Sequence, residues 1–327
     1  MNQSIISRRD FMLAASAAFL AGKKKVLIEK RHKKISGLEL LVKVLGTAQD
    51  GGLPQAACYC PHCLKARQDK SFRRLVASIA LINQKSKKLY LIDATPDIRQ
   101  QLDILYFAGW LKGERGKNPV DAILLTHGHM GHYSGLLHLG REAAGTKDLA
   151  VYCSNSMADF LKTNAPWNLM LKLNNIRLNR FKAGEIIKLD EEVSFRGIKV
   201  PHRAEFTDTM AFEILGPKGS LLYLPDIDRW EPVEKKMKEI LSRVDYALLD
   251  GTFFSADELP GRDITQIPHP LITHTMNLFE DLVNEGKCSI YFTHFNHTNR
   301  LLDDGEAMAQ LQKRGFKVAE EGMDFRL

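Results

Sequence analysis

The segment 121–136, DAILLTHGHMGHYSGL, constrains the fold more than any other stretch of the chain. An aliphatic run stops at Thr126, and three of the eleven histidines, His127, His129 and His132, follow within six positions. A short apolar run closed by polar residues reads as a buried strand. In locally extended backbone, positions i and i+2 share a face, so His127 and His129 point the same way. His132 sits where a helical pattern begins and can swing its ring to the same centre. A strand end that presents imidazoles in this way calls for neighbouring strand ends that present the remaining partners.

The rest of the chain supplies them. Strands are predicted over 39–45, 76–83, 87–92, 120–126, 149–153, 185–189, 193–200, 210–215, 220–224, 245–250 and 288–293. His202 follows the strand 193–200, Asp226 follows LLYLP, and His294 follows CSIYFT. Helices are predicted over 96–108, 132–144, 156–164, 230–243, 275–285 and 303–314, where apolar positions recur at three and four. Two runs of strands with helices between and outside them predict an α/β chain of two packed sheets flanked by helices. Side chains at adjacent strand ends converge on one sheet edge. Imidazoles and a carboxylate gathered there suit a metal ion with bonds of about 2.0–2.2 Å.

The chain of 327 residues, 44% hydrophobic and 26% charged, can bury a large core. Its formal charge of +7 would suggest nucleic acid as a partner, but residues 1–34 account for all of the excess and 35–327 are neutral. A duplex or tRNA binder spreads Lys and Arg over a docking face, so no nucleic-acid partner is expected. The N-terminal stretch SIISRRDFMLAASAAFLAGKKK, with Arg8 and Arg9 before an apolar run from Phe11 to Ala21, resembles a twin-arginine export signal. That resemblance implies a periplasmic address, with the cytoplasm as the alternative. The apolar run is well short of the roughly 20 residues that a membrane span needs. The chain therefore divides into a signal and basic flank, 1–34, and one domain, 35–327, with no linker or repeat to split it further. Nothing in the pattern fixes an oligomeric state.

Three of the five cysteines, Cys58, Cys60 and Cys63, are packed into CYCPHC, while Cys153 and Cys288 stand alone. Neighbours this close would form strained disulfide rings. Three thiolates converging through a turn that Pro61 favours, plus a fourth ligand from elsewhere, form a tetrahedral metal clip.

THGHMGH followed by His202, Asp226 and His294 resembles the metallo-β-lactamase superfamily over most of 39–327. The resemblance implies an αββα sandwich with one or two metals at the sheet edges. It places His127, His129 and His202 at a first metal position, and His132, His294 and a bridging Asp226 at a second. That superfamily usually carries Asp where this chain has Gly131, so the second position is expected to be weaker or differently filled. LGTAQDGGLPQAACYCPHC, IDATPDIRQQL, GLLHLGRE and LLDGTFFSADEL are similar to the pyrroloquinoline quinone biosynthesis B family. That family lacks the leading pair that His127 and His129 supply. In this respect the centre looks more like the cyclic phosphodiesterases of phosphonate degradation, which also carry a C-x-C-x-x-C clip. Likeness to them completes the clip with His297, three positions after His294, so that Cys58, Cys60, Cys63 and His297 hold one structural zinc.

The expected chemistry is hydrolysis of a small ester or phosphodiester by metal-activated water, with zinc or iron as the catalytic metal. Asp226 serves that centre directly. The leaving group needs a proton donor, and DITQIPHPLITHT offers His269 and His274; His269 resembles the loop histidine of the phosphodiesterases and is preferred. Asp93 and Asp97 flank ATP, which is not a phosphate loop, and are expected to support loops around the site. Two further readings compete: an iron-dependent oxidation in quinone cofactor biosynthesis, and a non-catalytic carrier on the same scaffold. Intact first-position ligands weigh against the carrier.

Overall fold

The computed structural model describes residues 40–111, 118–258 and 268–327, so the predicted signal and flank at 1–34 lie outside the described residues. Seven strands form the first sheet: β1 (Leu40–Gly46), β2 (Ser78–Asn83), β3 (Lys88–Ile92), β4 (Ala122–Leu124), β5 (Leu149–Ser154), β6 (Ile176–Phe181) and β14 (Asp324–Arg326), in the order β14-β1-β2-β3-β4-β5-β6. The second sheet has the order β13-β12-β11-β10-β9-β8-β7. It is built from β7 (Ile186–Lys188), β8 (Ser194–Val200), β9 (Thr209–Leu215), β10 (Ser220–Leu224), β11 (Tyr246–Asp250), β12 (Ser289–Thr293) and β13 (Lys317–Val318).

Alternation along the strands sets the layers. In β2, Ile79 and Leu81 face the second sheet, where Phe195, Phe212, Ile214 and Tyr223 meet them, while Ala80 and Ile82 face the outer helices. Successive strand side chains point to opposite faces, so a strand apolar at every position is a strand covered on both sides. Helices α2 (Ile98–Phe107) and α4 (Asn155–Thr163) cover the first sheet through Ile98, Leu105, Met157 and Leu161. Helices α6 (Glu234–Leu241), α7 (Ile272–Asn284) and α8 (Gly305–Lys313) cover the second through Met237, Ile240, Met276, Phe279 and Leu311. Two mixed sheets between helical layers give the αββα sandwich that the sequence predicts.

Strand direction decides where functional groups collect. β1 is antiparallel to β2 and β2 to β3, while β3 and β4 are parallel, so β1, β3 and β4 run the same way. By the same accounting β8, β10, β11 and β12 share a direction in the second sheet. The C-terminal ends of these strands form one edge, stitched across the sandwich by main-chain bonds from Met210 N to Thr126 O (3.0 Å) and from Phe295 N to Thr47 O (2.8 Å).

Some elements depart from expectation. The predicted helix 132–144 is one α-helical turn, α3 (Met130–Tyr133), followed by a 3-10 stretch to Leu139. There Gly135 passes so close to the loop after β3 that a Cβ would lie 2.0 Å from Thr95 O. The helix predicted over 230–243 is confined to α6, and α7 begins earlier than predicted, at Ile272. β6, β13, β14 and the short helices α1 (Pro61–Gln68) and α5 (Trp167–Lys172) were not predicted.

Candidate metal centre

Every histidine singled out by position lies just past a strand of the common direction. His127, His129 and His132 follow β4, His202 follows β8, Asp226 follows β10, and His294 follows β12. His294 holds φ of +64°, and Asp93, after β3, holds +69°. Left-handed backbone at a non-glycine residue costs about 1–3 kcal/mol and persists where surrounding structure enforces it.

The side chains form two overlapping groups. Ligand atoms of His127, His129, His202 and Asp226 lie within 4.8 Å of one another, as do those of Asp50, His132, Asp226 and His294. His129 Nδ1 is 2.9 Å from His127 Nε2 and 3.1 Å from His202 Nε2. Asp226 spans the two groups: Oδ1 lies 3.4 Å from His202 Nε2, and Oδ2 lies 3.1 Å from His132, 3.3 Å from His294 and 3.5 Å from His127. Ligands of a tetrahedral ion with bonds of 2.0–2.1 Å are roughly 3.3–3.4 Å apart. The observed spacings sit around that edge length.

The outward ring nitrogens are fixed by a second set of bonds. His132 Nδ1 is 2.7 Å from Asp93 Oδ2, His202 Nδ1 is 2.9 Å from Asp228 Oδ1, and His129 Nε2 is 3.1 Å from Glu205 Oε2. Thr126 gives its hydroxyl proton to Asp93 at 3.0 Å, so its oxygen is left to accept from His127 Nδ1 at 3.0 Å. Thr252 gives its proton to Asp250 at 2.7 Å, so its oxygen accepts from His294 Nδ1 at 3.1 Å. Each proton held outside leaves a lone pair on the nitrogen facing the centre, the tautomer that a metal-ligating histidine requires.

The residues fit a cation. Asp50 Oδ1, His132 Nε2, Asp226 Oδ1 and His294 Nε2 are buried atoms without a hydrogen-bond partner. Asp50 Oδ1 lies 3.3 Å from His132 Nε2 and 4.0 Å from His294 Nε2, and Asp226 Oδ1 lies 3.4 Å from His202 Nε2, without alignment as donor and acceptor. Buried polar atoms are nearly always paired, and buried carboxylates are paired or bind metal; four orphans converging on one region need a positive charge among them. Electrostatics agree. Burial draws the His132 pKa down, yet Asp93, Asp226 and Asp50 outweigh it and hold it well above its usual value, so positive charge is favoured at this point, on the ring itself or on an ion that its Nε2 lone pair would bind. Burial and neighbouring histidines hold His127 well below, as a neutral donor. Burial pushes the Asp226 carboxyl up, but the surrounding histidines carry it well below the usual range.

His269 joins a third group with Asp250 and His294. Its Nδ1 is 2.8 Å from Asp250 Oδ2 and 3.4 Å from Asp226 Oδ1, so it reaches the edge of the centre. His274, the alternative donor, sits part-exposed in the first turn of α7 and belongs to none of the groups.

Cys58, Cys60, Cys63 and His297 also gather within 4.8 Å. His297 Nδ1 lies 3.4 Å from Cys60 Sγ and 3.6 Å from Cys58 Sγ, and the Gln55 and Cys60 amides point at the Cys63 and Cys58 sulfurs. Pro61 is the first residue of α1, where a missing N–H costs nothing. His62, inside the same motif, faces Asp303 and the His297 carbonyl instead. Cys153 and Cys288 are separate and buried.

Asp93, expected to support a loop around the site, bonds His132 directly, and Asp97 accepts from Val76 N at 2.9 Å to brace the approach to β2. Sequence reasoning missed Asp50, Asp228, Asp250, Thr126 and Thr252. Asp228 and Thr252 lie two residues beyond Asp226 and Asp250 on strand ends, a signal of position that could have found them. Asp50 had no such spacing. A cavity of about 880 Å³ opens beside it, lined by Asp50, Arg73, Arg74, Met130, Phe253 and Glu258 among others.

Residues 89–295 match the family model described as β-lactamase superfamily domain. The chain is 30% identical to coenzyme PQQ synthesis protein B of Pseudomonas fluorescens strain SBW25, over 88% of this chain and all of that protein, and 27% identical to the namesake from Methylococcus capsulatus over the same shares. Zinc-bound PqqB from Methylobacterium extorquens superposes with a TM-score of 0.75 at 24% identity, covering 88% of this chain and all of that one. A diphosphatase of the PhnP family superposes with a TM-score of 0.65 at 25% identity, covering 88% and 97%.

Proposed function

Since the chain belongs to the β-lactamase superfamily and is a homologue of the PQQ synthesis B proteins, we propose that it is a metal-dependent hydrolase of a small, anionic phosphoester or ester. The observation that carries this reading is the set of five imidazoles, each with its outer nitrogen pinned, whose inner nitrogens converge on Asp226. His127, His129 and His202 would hold one metal, and His132 and His294 a second, with Asp226 between them. Such ions supply Lewis acidity and activate water near neutral pH. Zinc suits three imidazoles and a carboxylate, and the same donors accept iron.

The chain's own groups do the rest. Arg73 and Arg74 line the cavity beside the centre and favour a negatively charged substrate of the size such a cavity admits. Asp226, shared between the groups, would be a ligand common to both positions. His269, whose Nδ1 is held by Asp250 at the edge of the centre, would supply the proton that the departing oxygen needs. Cys58, Cys60, Cys63 and His297 would hold a zinc whose work is structural. The similarity to a PhnP-family diphosphatase favours phosphoester hydrolysis, and the 30% identity to PQQ synthesis protein B keeps an iron-dependent oxidation in quinone biosynthesis as the second reading.

Metal content of protein purified without added metal, followed by assay on a cyclic phosphodiester before and after chelation, tests the choice. Zinc with chelator-sensitive, zinc-restored hydrolysis is the expected result. Iron without hydrolysis of any phosphoester or ester would favour oxidation. We further read segment 1–34 as an export signal. Arg8→Lys with Arg9→Lys should then retain the protein in the cytoplasm, and export of that variant would refute it.

A further inference from the structure

We propose that Asp50, on the loop after β1, is the carboxylate ligand of the second metal position, and that Gly131 is glycine because Asp50 occupies the space of its side chain. The inference rests on the metal-centre reading above and adds a ligand and a coupled pair to it.

The position of Asp50 is set by main chain. Gln49 N donates to Phe295 O at 2.9 Å, Phe295 N donates to Thr47 O at 2.8 Å, and Gly52 N closes a turn on Gln49 O at 2.7 Å. These bonds tie the loop to the residue after His294. Asp50 Oδ1 thus lies 3.3 Å from His132 Nε2 and 4.0 Å from His294 Nε2. About a quarter of its side chain is exposed, but Oδ1 itself is buried and without a hydrogen-bond partner, like the two nitrogens it faces. With Asp226, it gives two imidazoles and two carboxylates around one point.

Gly131 is the complement. A Cβ built there would lie 2.0 Å from Asp50 Oδ1 and 2.7 Å from Asp50 Cα. The second contact is with backbone, so no rotamer of Asp50 relieves it. Glycine is not required here by conformation: residue 131 sits within α3 and is absent from the positive-φ positions among the described residues. Inside a helix glycine is about 0.5–1 kcal/mol worse than alanine. Space accounts for it. The carboxylate that the superfamily resemblance places on the helix therefore comes from a loop some eighty positions earlier, and the second position is not short of a carboxylate as the sequence alone implied.

The test uses the metal-loaded full-length protein, with stoichiometry from elemental analysis and affinity from competition against a chelator of known strength. Wild type is expected to hold two metals beyond the one in the cysteine clip. Asp50→Ala, and Asp50→Asn as a variant of nearly unchanged shape, should lose the weaker of those metals or bind it at least about 100-fold more weakly, with the melting temperature of the metal-free protein unchanged. Gly131→Asp alone should not strengthen the second position, because it displaces Asp50. If Asp50→Ala or Asp50→Asn keeps both metals at wild-type affinity, or if Gly131→Asp alone raises it, the proposal is wrong and the hydrolase reading stands. If wild type binds metal only in the clip, the hydrolase reading itself fails.

Discussion

His127, His129 and His132 announced the centre because a strand followed by H-x-H-x-x-H places three donors within one turn of chain. Asp50 could not be found that way. Its partners are contributed by residues on other elements, and bonds through Phe295 and Asn296 bring it beside His294. Local spacing reports ligands that share an element; ligands delivered by topology leave no mark in it. His269 lies between these cases, legible through likeness and placed by Asp250 at 2.8 Å. As general acid it should matter in proportion to how badly the leaving group needs a proton. His269→Gln is expected to lower kcat by about 10²–10⁴ on an alkyl phosphodiester and to change it little on a nitrophenyl one, whose leaving group departs unprotonated. Equal losses on both substrates would reduce His269 to a packing role.

At the scale of elements, strands buried on both faces were legible, since their apolar runs are long enough to stand out. β6 was not: in IRLNRF only the end residues are buried, and the polar middle removes the pattern. β13 and β14, of two and three residues, are too short to show a period. The segment between them nonetheless braces the site. Glu321 accepts from Leu75 N at 2.6 Å, and Leu75 O accepts from Thr47 and Ala48, on the chain leading to Asp50. Burial pushes the Glu321 carboxyl from its ordinary 4.5 up to about 7. Between those values the folded protein holds a proton that the unfolded chain has lost, so this contribution is complete below pH 4.5 and disappears as pH rises to about 7. Glu321→Gln keeps an accepting oxygen without the charge. It should therefore raise stability by roughly 1–3 kcal/mol at pH 8 and by nothing at pH 4. Denaturant melts at the two pH values measure this, and equal effects at both would contradict it.

At the scale of the whole molecule, the sandwich was legible because both sheets carry apolar residues on both faces, and the site because the strands that bear it all run toward one edge. The cysteine clip stands apart from the main cores, over a small cluster of Leu53, Cys63, Ala66 and Phe72. So small a cluster gives its segment little hydrophobic support, and a bound zinc would contribute folding energy directly. Cys60→Ser or His297→Ala should cost about 3 kcal/mol, lowering Tm by roughly 6–12 °C, while the activity of the protein that remains folded changes less than twofold. Wild-type stability in both variants would count against a structural zinc.

The central claim is that the common edge of the two sheets is a metal centre held by ligands from five strand ends and braced by residues from two more. Anomalous X-ray scattering at the zinc edge, collected on crystals of the protein purified without added metal, locates such ions directly. One peak is expected among His127, His129, His202 and Asp226, and a second among Asp50, His132, Asp226 and His294, each within about 2.0–2.2 Å of its ligand atoms. An edge without anomalous density at zinc or iron wavelengths, after the crystals have also been soaked in either metal, would contradict it.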